Sequence, residues 1–289
     1  MRLPWVVRVA GVAAVVASML QVGTWAAELK PATAAAFDRY VRVTEARIDR
    51  EVQDEERFLL IDTADPARRP VQVAELRAGG VLIERLETRE DNRELDIPSG
   101  LVHHWVGLVF VDGGTLDGAV ALLQDYDRHA EVYRPAVQQS RVLSRTGDTF
   151  RVFLRFYMKK VIAVTLNSDH EAQFTRVSPT RAFSRIVSTR VQEVADAGKP
   201  TEREQPPGHG GGYLWRINSY WRFLERDGGV YVQCESVSLS RGLPFALAWL
   251  IRPFVTSLPR ESLTFTLETT RKALVADLES PRAIPGPHP

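Results

Sequence analysis

Two stretches in the last third of the chain alternate between apolar and polar positions with the period of a β-strand. They cover residues 213–224 and 230–239 and flank the sequence Arg226-Asp227-Gly228-Gly229. A two-residue turn at Asp227-Gly228 or at Gly228-Gly229 supplies the positive φ angles that a tight hairpin needs. Either turn leaves the same residues on the same face, because a register shift of two residues preserves the pleat. The pattern therefore predicts an antiparallel hairpin.

The two faces of this hairpin differ in composition. The uncharged face places Trp215, Ile217, Ser219, Trp221 and Phe223 opposite Val230, Val232, Cys234, Ser236 and Ser238. The other face combines Tyr231 and Val237 with Arg216, Asn218, Tyr220, Arg222, Gln233 and Glu235. A three-residue loop would instead set Trp221 opposite Glu235 and mix the two sets. We expect the uncharged face to be buried and the other face to be mostly in contact with water.

An earlier segment shows the same alternation. In residues 150–158 one parity is apolar throughout, with Phe150, Val152, Leu154, Phe156 and Met158. The opposite parity carries Arg151, Arg155 and Lys159, which is typical of a half-buried antiparallel strand. Further strands are predicted at residues 81–83, 106–111, 161–166, 173–177 and 183–194, with a mobile loop rich in proline, glycine and charge at 199–212.

Helical periodicity appears ahead of the main run of strands. Residues 31–51 place Phe37, Tyr40, Val41, Thr44 and Ile48 on one stripe, which predicts an amphipathic helix. Thr115 is the expected N-cap of a short helix. A second short helix is expected to carry Tyr126, His129 and Val132.

The apolar closing segment, residues 242–279, contains Pro253 and Pro259. A proline inside a helix removes one backbone donor and clashes with the preceding turn, so we expect both to act as boundaries. The segment then predicts a short apolar helix at 243–251 and a longer helix starting near Pro259. The apolar stripe of the longer helix consists of Leu263, Leu267, Thr270, Leu274 and Leu278. Residues 280–289 are predicted to be a disordered tail.

The first 26 residues have the composition of a secretory signal. Arg2 and Arg8 precede an apolar run from Val9 to Val22, and Thr24-Trp25-Ala26 offers small residues at the two positions that a signal peptidase examines. The run is too short to span a bilayer comfortably as a permanent anchor. We expect cleavage of residues 1–26 and a soluble periplasmic or secreted protein, with an uncleaved N-terminal anchor as the alternative.

Charge and cysteine content narrow the function. The formal net charge is +1, which gives no basic field to attract nucleic acid, so no nucleic-acid partner is expected. Cys234 is the single cysteine, so the chain forms no internal disulfide and depends on a packed core. Its position in an alternating strand predicts a small buried apolar side chain rather than a nucleophile.

The order of these elements resembles that of a known superfamily. The residues that carry the resemblance are Asp125-Tyr126-Asp127 through Tyr133-Arg134-Pro135, Ser140-Arg141-Val142-Leu143, and the closing segment from Leu239 to Leu274. In these features residues 101–278 resemble the START-like (SRPBCC) superfamily, and within it most nearly the coenzyme Q-binding and polyketide cyclase-type domains. The resemblance implies an α+β helix-grip fold, in which a curved antiparallel sheet wraps around a long C-terminal helix.

The resemblance also implies an apolar cavity between the sheet and that helix. The corresponding domain covers residues 101–279, and residues 27–100 form an N-terminal helix and extension that the resemblance does not explain. The predicted ligand-binding residues, which combine the apolar faces above, are Val152, Leu154, Phe156, Trp215, Ile217, Trp221, Phe223, Val232, Cys234, Leu263 and Leu267. Close core packing with no cavity is the alternative for each of them.

We found no catalytic or metal-binding constellation in the sequence. No histidine pair has the i, i+4 spacing of a helical zinc site, and no Gly-x-Ser-x-Gly elbow occurs. No cofactor, metal or catalytic residue is therefore expected. The leading interpretation is an exported, non-catalytic binder or carrier of an apolar lipid-like molecule. A cyclase- or hydrolase-type enzyme and a ligand-free interaction domain remain alternatives, and Arg185 is the candidate polar group that an enzyme would place inside the cavity.

One further segment predicts contact with a membrane. Residues 243–254 concentrate leucine with Trp249, Phe245 and Phe254 beside the expected mouth of the cavity. Such a segment can act as a lid that touches a membrane surface transiently during ligand exchange. Packing of these side chains in the core is the alternative.

Overall fold

The structure is a computed structural model that describes residues 27–159, 163–242 and 245–279. For residues 245–256 it describes the backbone alone. The predicted signal (1–26) and the predicted tail (280–289) both lie outside the described residues. Within them, no helix combines the length and the apolar composition needed to cross a membrane.

A large antiparallel sheet forms the centre of the molecule. Its strands are β1 (Leu82–Arg85), β4 (Gly100–Asp112), β5 (Val137–Thr146), β6 (Thr149–Lys159), β7 (Ala163–Ser178), β8 (Arg181–Ala195), β10 (Arg216–Arg226) and β11 (Gly229–Arg241). They lie in the order β1-β4-β11-β10-β8-β7-β6-β5, and the short β9 (Arg203–Glu204) pairs with β8. A separate two-stranded ribbon consists of β2 (Arg89–Glu90) and β3 (Arg93–Glu94). The sheet thus begins at β1, inside the segment 27–100 that the sequence assigned to an extension.

The helices lie on both sides of this sheet. They are α1 (Pro31–Gln53), α2 (Arg69–Arg77), α3 (Leu116–Gln124), α4 (His129–Val132) and α5 (Phe245–Glu279), with 3₁₀ turns at Glu55–Arg57, Leu60–Thr63 and Tyr126–Arg128. The predicted cap of α3 is confirmed, because the Thr115 hydroxyl accepts a hydrogen bond from the Gly118 N–H at 3.1 Å. The sheet with its long C-terminal helix is the predicted helix-grip α+β architecture.

The hairpin of β10 and β11 has the predicted register. Arg226 pairs with Gly229, so Asp227 and Gly228 are the two turn residues. Both have positive φ angles, 60° and 79°, as a type I′ turn requires. Trp221 accordingly lies opposite Cys234, and Phe223 opposite Val232.

The closing helix departs from the prediction. α5 runs without interruption through Pro253 and Pro259, so the expected division into two helices is wrong. A proline in a helix interior costs about 3 kcal/mol through one lost hydrogen bond and a local clash. In a helix of 35 residues the other turns keep their bonds, and Leu263, Leu267 and Leu274 anchor the helix by packing on the sheet.

The concave face of the sheet and α5 enclose one of the two main cores. Its buried members include Val109, Val111, Val152, Trp221, Phe223, Val230, Val232, Cys234, Leu263, Leu267 and Leu274. α5 approaches β4 closely at Gly107, where an added Cβ would lie 2.4 Å from Leu267 Cδ1. Glycine at this position therefore lets the helix seat against the strand.

The convex face of the sheet is covered rather than solvated, which overturns our expectation for the second hairpin face. α1 buries Phe37, Tyr40, Thr44 and Ile48, as its stripe predicts, and these residues pack over β4, β10 and β11. The supposedly water-facing residues are buried: Asn218, Tyr220, Arg222, Tyr231, Gln233, Glu235 and Val237. The cause is the N-terminal segment, which supplies both apolar cover and partners for the charges.

Candidate functional site

The concave face contains a band of half-buried side chains, which we call the concave band. It consists of Trp105, Phe156, Met158, Ile217, Ser219 and Ser236. Trp105, Ser236 and Ser219 are direct cross-strand neighbours on β4, β11 and β10. Phe223, Val232 and Leu267 elsewhere on the same interface are fully buried. Under the described part of α5 the core is therefore fully buried toward one end and half-buried along the concave band.

The predicted ligand-binding residues occupy several places in this interior. Val152, Trp221, Phe223, Val232, Cys234, Leu263 and Leu267 belong to the concave core. Leu154 lies in a small adjacent cluster against which Phe156 and Phe265 of α5 pack. Ile217 belongs to the concave band. The role of these residues in binding stays a prediction.

Trp215 is the exception among them, because it packs in the core on the convex side. β10 begins one residue later, at Arg216, so the pleat of the strand does not fix the direction of the Trp215 side chain. The backbone N–H of Trp215 still donates to the Leu239 carbonyl at 2.8 Å. The sequence pattern places Trp215 on the concave face only if the strand alternation is extended one residue beyond the start of β10, and this expectation is wrong.

Arg185, the predicted inward polar group, is also on the convex side. Its guanidinium donates to Asp49 at 2.7 Å and lies 3.6 Å from Glu45, both on α1. The inward residues of β8 in this region are Ser184, Ile186 and Ser188 instead, which share the concave parity. Arg185 therefore joins α1 to the sheet and does not face the interior.

His170 is a polar group that the structure places inside. It is on the concave parity of β7, buried, with its ring 6.1 Å from that of Phe156 and nearly perpendicular to it. Its Nε2 lies 2.8 Å from Ser168 Oγ, whereas its Nδ1 has no hydrogen-bond partner among the residues that the structure describes. Burial lowers the pKa of His170 to about 4, so the ring is neutral at pH 7. The sequence pattern did not identify it, because it predicts two strands, at residues 161–166 and 173–177, whereas β7 is continuous from Ala163 to Ser178 and includes His170.

Cys234 is buried on the same face, as predicted. Burial raises the pKa of its thiol, which keeps it protonated and unreactive at neutral pH. Within the described residues no group of three or more histidine, cysteine, aspartate or glutamate side chains is arranged to bind a metal. Of the predicted lid, residues 243–244 lie outside the described part, and the side chains of 245–254 are not described.

A second polar site lies between the convex face and the N-terminal segment. Its centre is Glu235, whose carboxylate accepts a hydrogen bond from His104 Nε2 at 2.7 Å and pairs with Arg47. Arg222 donates to Glu51 at 2.6 Å and to the Phe58 carbonyl at 2.8 Å. We call these residues, with Tyr40 and Thr88, the convex polar cluster. A cavity of about 230 Å³ adjoins it.

The hydrogen bonds of the convex polar cluster form a directed chain. The Thr88 N–H donates to the Tyr40 hydroxyl at 2.8 Å, and that hydroxyl is 2.9 Å from His104 Nδ1. Burial of Glu235 alone would raise the pKa of its carboxyl, but the bond from His104 and the nearby Arg47 and Arg222 lower that pKa to about 2. The charged residues at its centre are thus bound to other protein groups. The cluster joins the N-terminal segment to the sheet.

Comparison with known proteins gives similarity to solved structures only. A STAR-related lipid transfer protein from Xanthomonas axonopodis is 16% identical, with 68% of this chain and 99% of that one covered, and a TM-score of 0.41. The Zhui aromatase/cyclase from Streptomyces sp. R1128 is 10% identical, covering 64% and 100%, with a TM-score of 0.44. Human STARD10 is 10% identical, covering 79% and 85%, with a TM-score of 0.42.

No family model matches the sequence, and no curated protein matches it. The solved structures resemble this chain in fold only, and they do not indicate what it binds. The strand order and closing helix described above stand independently of them. They make the fold of this chain the helix-grip fold that its resemblance to the START-like superfamily implies.

Proposed function

We propose that this protein binds an apolar, lipid-like molecule between the concave face of the sheet and α5. The observation that carries the proposal is the concave band, because large apolar side chains on the inner face are only half-buried there. Trp105, Phe156, Met158 and Ile217 would complete their burial against a guest. Burial of apolar area is the main source of affinity for such ligands.

The interior favours binding over catalysis. His170 and Ser168 are close together, but Ser168 is fully buried and its hydroxyl donates to the Leu154 carbonyl at 3.2 Å. The neighbouring Asp169 lies on the opposite face, where it pairs with Arg190. A serine nucleophile needs an exposed oxygen and a base that a third group orients. This pair lacks both, so a hydrolase-type activity with Ser168 as nucleophile is the weaker candidate, and a cyclase-type activity stays the alternative to binding.

Binding can be tested with a pyrene-labelled long-chain alcohol and the chain from residue 27. We expect saturable binding that is lost in Ser219→Trp, because an indole at the centre of the concave band occupies the space of the ligand. The matched control is Gln173→Trp, which adds an indole to an exposed position of β7. Absence of binding to the unmodified protein, or equal binding by both variants, would refute the proposal.

Export is the second part of the proposed function. It is supported by the positive, apolar and small-residue regions of residues 1–26. In the native host we expect the protein in the periplasmic or secreted fraction, with a mature N-terminus at Ala27. Recovery of the intact N-terminus from the cytoplasm would contradict this.

The third part is transient contact of residues 243–254 with a membrane during ligand exchange. The density of Trp249, Phe245 and Phe254 in this short segment supports it. We expect the mature protein to float with liposomes, and Trp249→Ser with Phe254→Ser to reduce flotation. Unchanged flotation of the double variant would contradict the proposal.

A further inference from the structure

His170 lies beside the concave band. Its cross-strand neighbours are Val152 on β6 and Ser188 on β8. Ser188 accepts a hydrogen bond from the backbone N–H of Ile217 at 2.9 Å, and the His170 ring packs against Phe156. Ile217 and Phe156 both belong to the concave band. A molecule that covers the band therefore contacts residues that adjoin His170, and it reaches the imidazole by entering between them.

The hydrogen bonds around His170 identify its tautomer. Ser168 has one hydroxyl proton and two neighbours that could accept it, the Leu154 carbonyl at 3.2 Å and His170 Nε2 at 2.8 Å. If Ser168 donates to the Leu154 carbonyl, then His170 donates from Nε2–H to Ser168 Oγ. In this arrangement the hydroxyl proton and the imidazole proton each form a hydrogen bond. If Ser168 donates to His170, the Leu154 bond is lost and a buried Nδ1–H has no acceptor. The first arrangement satisfies more polar groups, so we assign it from the network.

In this tautomer Nδ1 of His170 is a bare acceptor. No group in the described residues donates to it. A neutral imidazole offers one donor and one acceptor nitrogen, and the donor is already used. At this nitrogen the unmet requirement is therefore for a hydrogen-bond donor, while another carbonyl or ether oxygen would not meet it.

We propose that the ligand is an apolar molecule with a hydroxyl group, which enters the interior and donates a hydrogen bond to Nδ1 of His170. This inference rests on the function proposed above and names the chemical class of its ligand. A quinone or an ester has only acceptor oxygens, so it leaves Nδ1 unpaired. Long-chain alcohols, sterol-like alcohols and hydroxylated polycyclic molecules share the required chemistry.

The test compares the pyrene-labelled long-chain alcohol with its methyl ether, which has the same chain and no donor. An unpaired buried acceptor weakens binding by about 5- to 150-fold, and we expect the unmodified protein to prefer the alcohol by a factor in that range. In His170→Phe the preference should disappear, while affinity for the ether is retained. The control His209→Phe changes an exposed histidine in the loop before β10 and should keep the preference.

The outcomes separate the inference from the function on which it rests. Equal affinity of the unmodified protein for alcohol and ether overturns the hydroxyl proposal and leaves apolar binding intact. Failure to bind either probe overturns the proposed function itself. Nitrogen NMR of the imidazole gives a check without any variant: the ligand-free protein should show protonated Nε2 and unprotonated Nδ1 for His170. The reverse tautomer would overturn the inference.

Discussion

Replacing Arg222 by methionine tests whether the convex polar cluster holds the N-terminal segment to the sheet. The side chain of Arg222 is 2% exposed. It donates two short hydrogen bonds, to Glu51 at 2.6 Å and to the Phe58 carbonyl at 2.8 Å. Both partners belong to the N-terminal segment, while Arg222 belongs to β10. Methionine keeps the apolar stem and removes the charge and both bonds.

The expected loss follows from these two bonds. A hydrogen bond to a charged group contributes about 1.5–3 kcal/mol, and methionine recovers part of this because no charge then needs burying. Arg47 still pairs with Glu51 at 2.8 Å and with Glu235, so neither carboxylate is left alone. We expect the free energy of unfolding to fall by about 3 kcal/mol. For a domain of this size the melting temperature should fall by roughly 6–12 °C.

Urea unfolding of the chain from residue 27, followed by circular dichroism, measures this loss. The control is Arg128→Met, since the Arg128 side chain is half exposed and forms an ion pair with Asp125 at 3.6 Å. That variant should change stability by less than about 0.5 kcal/mol. The reasoning would be refuted if Arg222→Met lowers the free energy of unfolding by less than about 1 kcal/mol, or raises it. The packing of methionine would then stabilise the protein as well as the ionic contacts do.

Two further predictions concern the core and acid stability. Gly107→Ala should destabilise the protein by about 1–3 kcal/mol in the same urea assay, because its Cβ would lie 2.4 Å from Leu267 and 2.5 Å from Ile83. Unchanged stability would mean that α5 lies less close to β4 than the structure shows. Burial lowers the pKa of His103, His129 and His170 to about 4 from an ordinary 6.5. The unfolded chain therefore takes up protons at a higher pH than the folded protein does, and the free energy of unfolding should fall as the pH drops from 6.5 to 4. The expected loss is on the order of 1–3 kcal/mol for each histidine. The variant His170→Phe should lose less stability over this pH range, because one of the three buried histidines is gone. An equally steep loss of stability in that variant would contradict the lowered pKa of His170.

The elements set by local chemistry could be predicted from the sequence. The Asp227-Gly228 turn needs only residues that tolerate positive φ, and α1 needs only its apolar stripe, so both are as expected. The same alternation identified Trp221, Phe223 and Val232 as inward-facing, because they lie well inside their strands. At a strand end that rule does not hold, and Trp215 turns to the convex side.

What the sequence could not reveal depends on distant partners. Arg222 and Glu235 are residue types that usually face water. Arg222 is buried because it pairs with Glu51, and Glu235 is buried because it pairs with Arg47 and His104, all from other parts of the chain. No local pattern indicates such pairing. Continuity of α5 through Pro253 likewise has no signal in the local sequence, because a proline by itself favours the end of a helix.

The most direct test of ligand binding between the sheet and α5 is native mass spectrometry of the protein purified from its own host. We expect the mature chain to carry one apolar molecule in stoichiometric amount, and extraction to release a compound with a hydroxyl group. A preparation that retains no small molecule, and takes none up when mixed with a lipid extract of the same cells, would contradict the account.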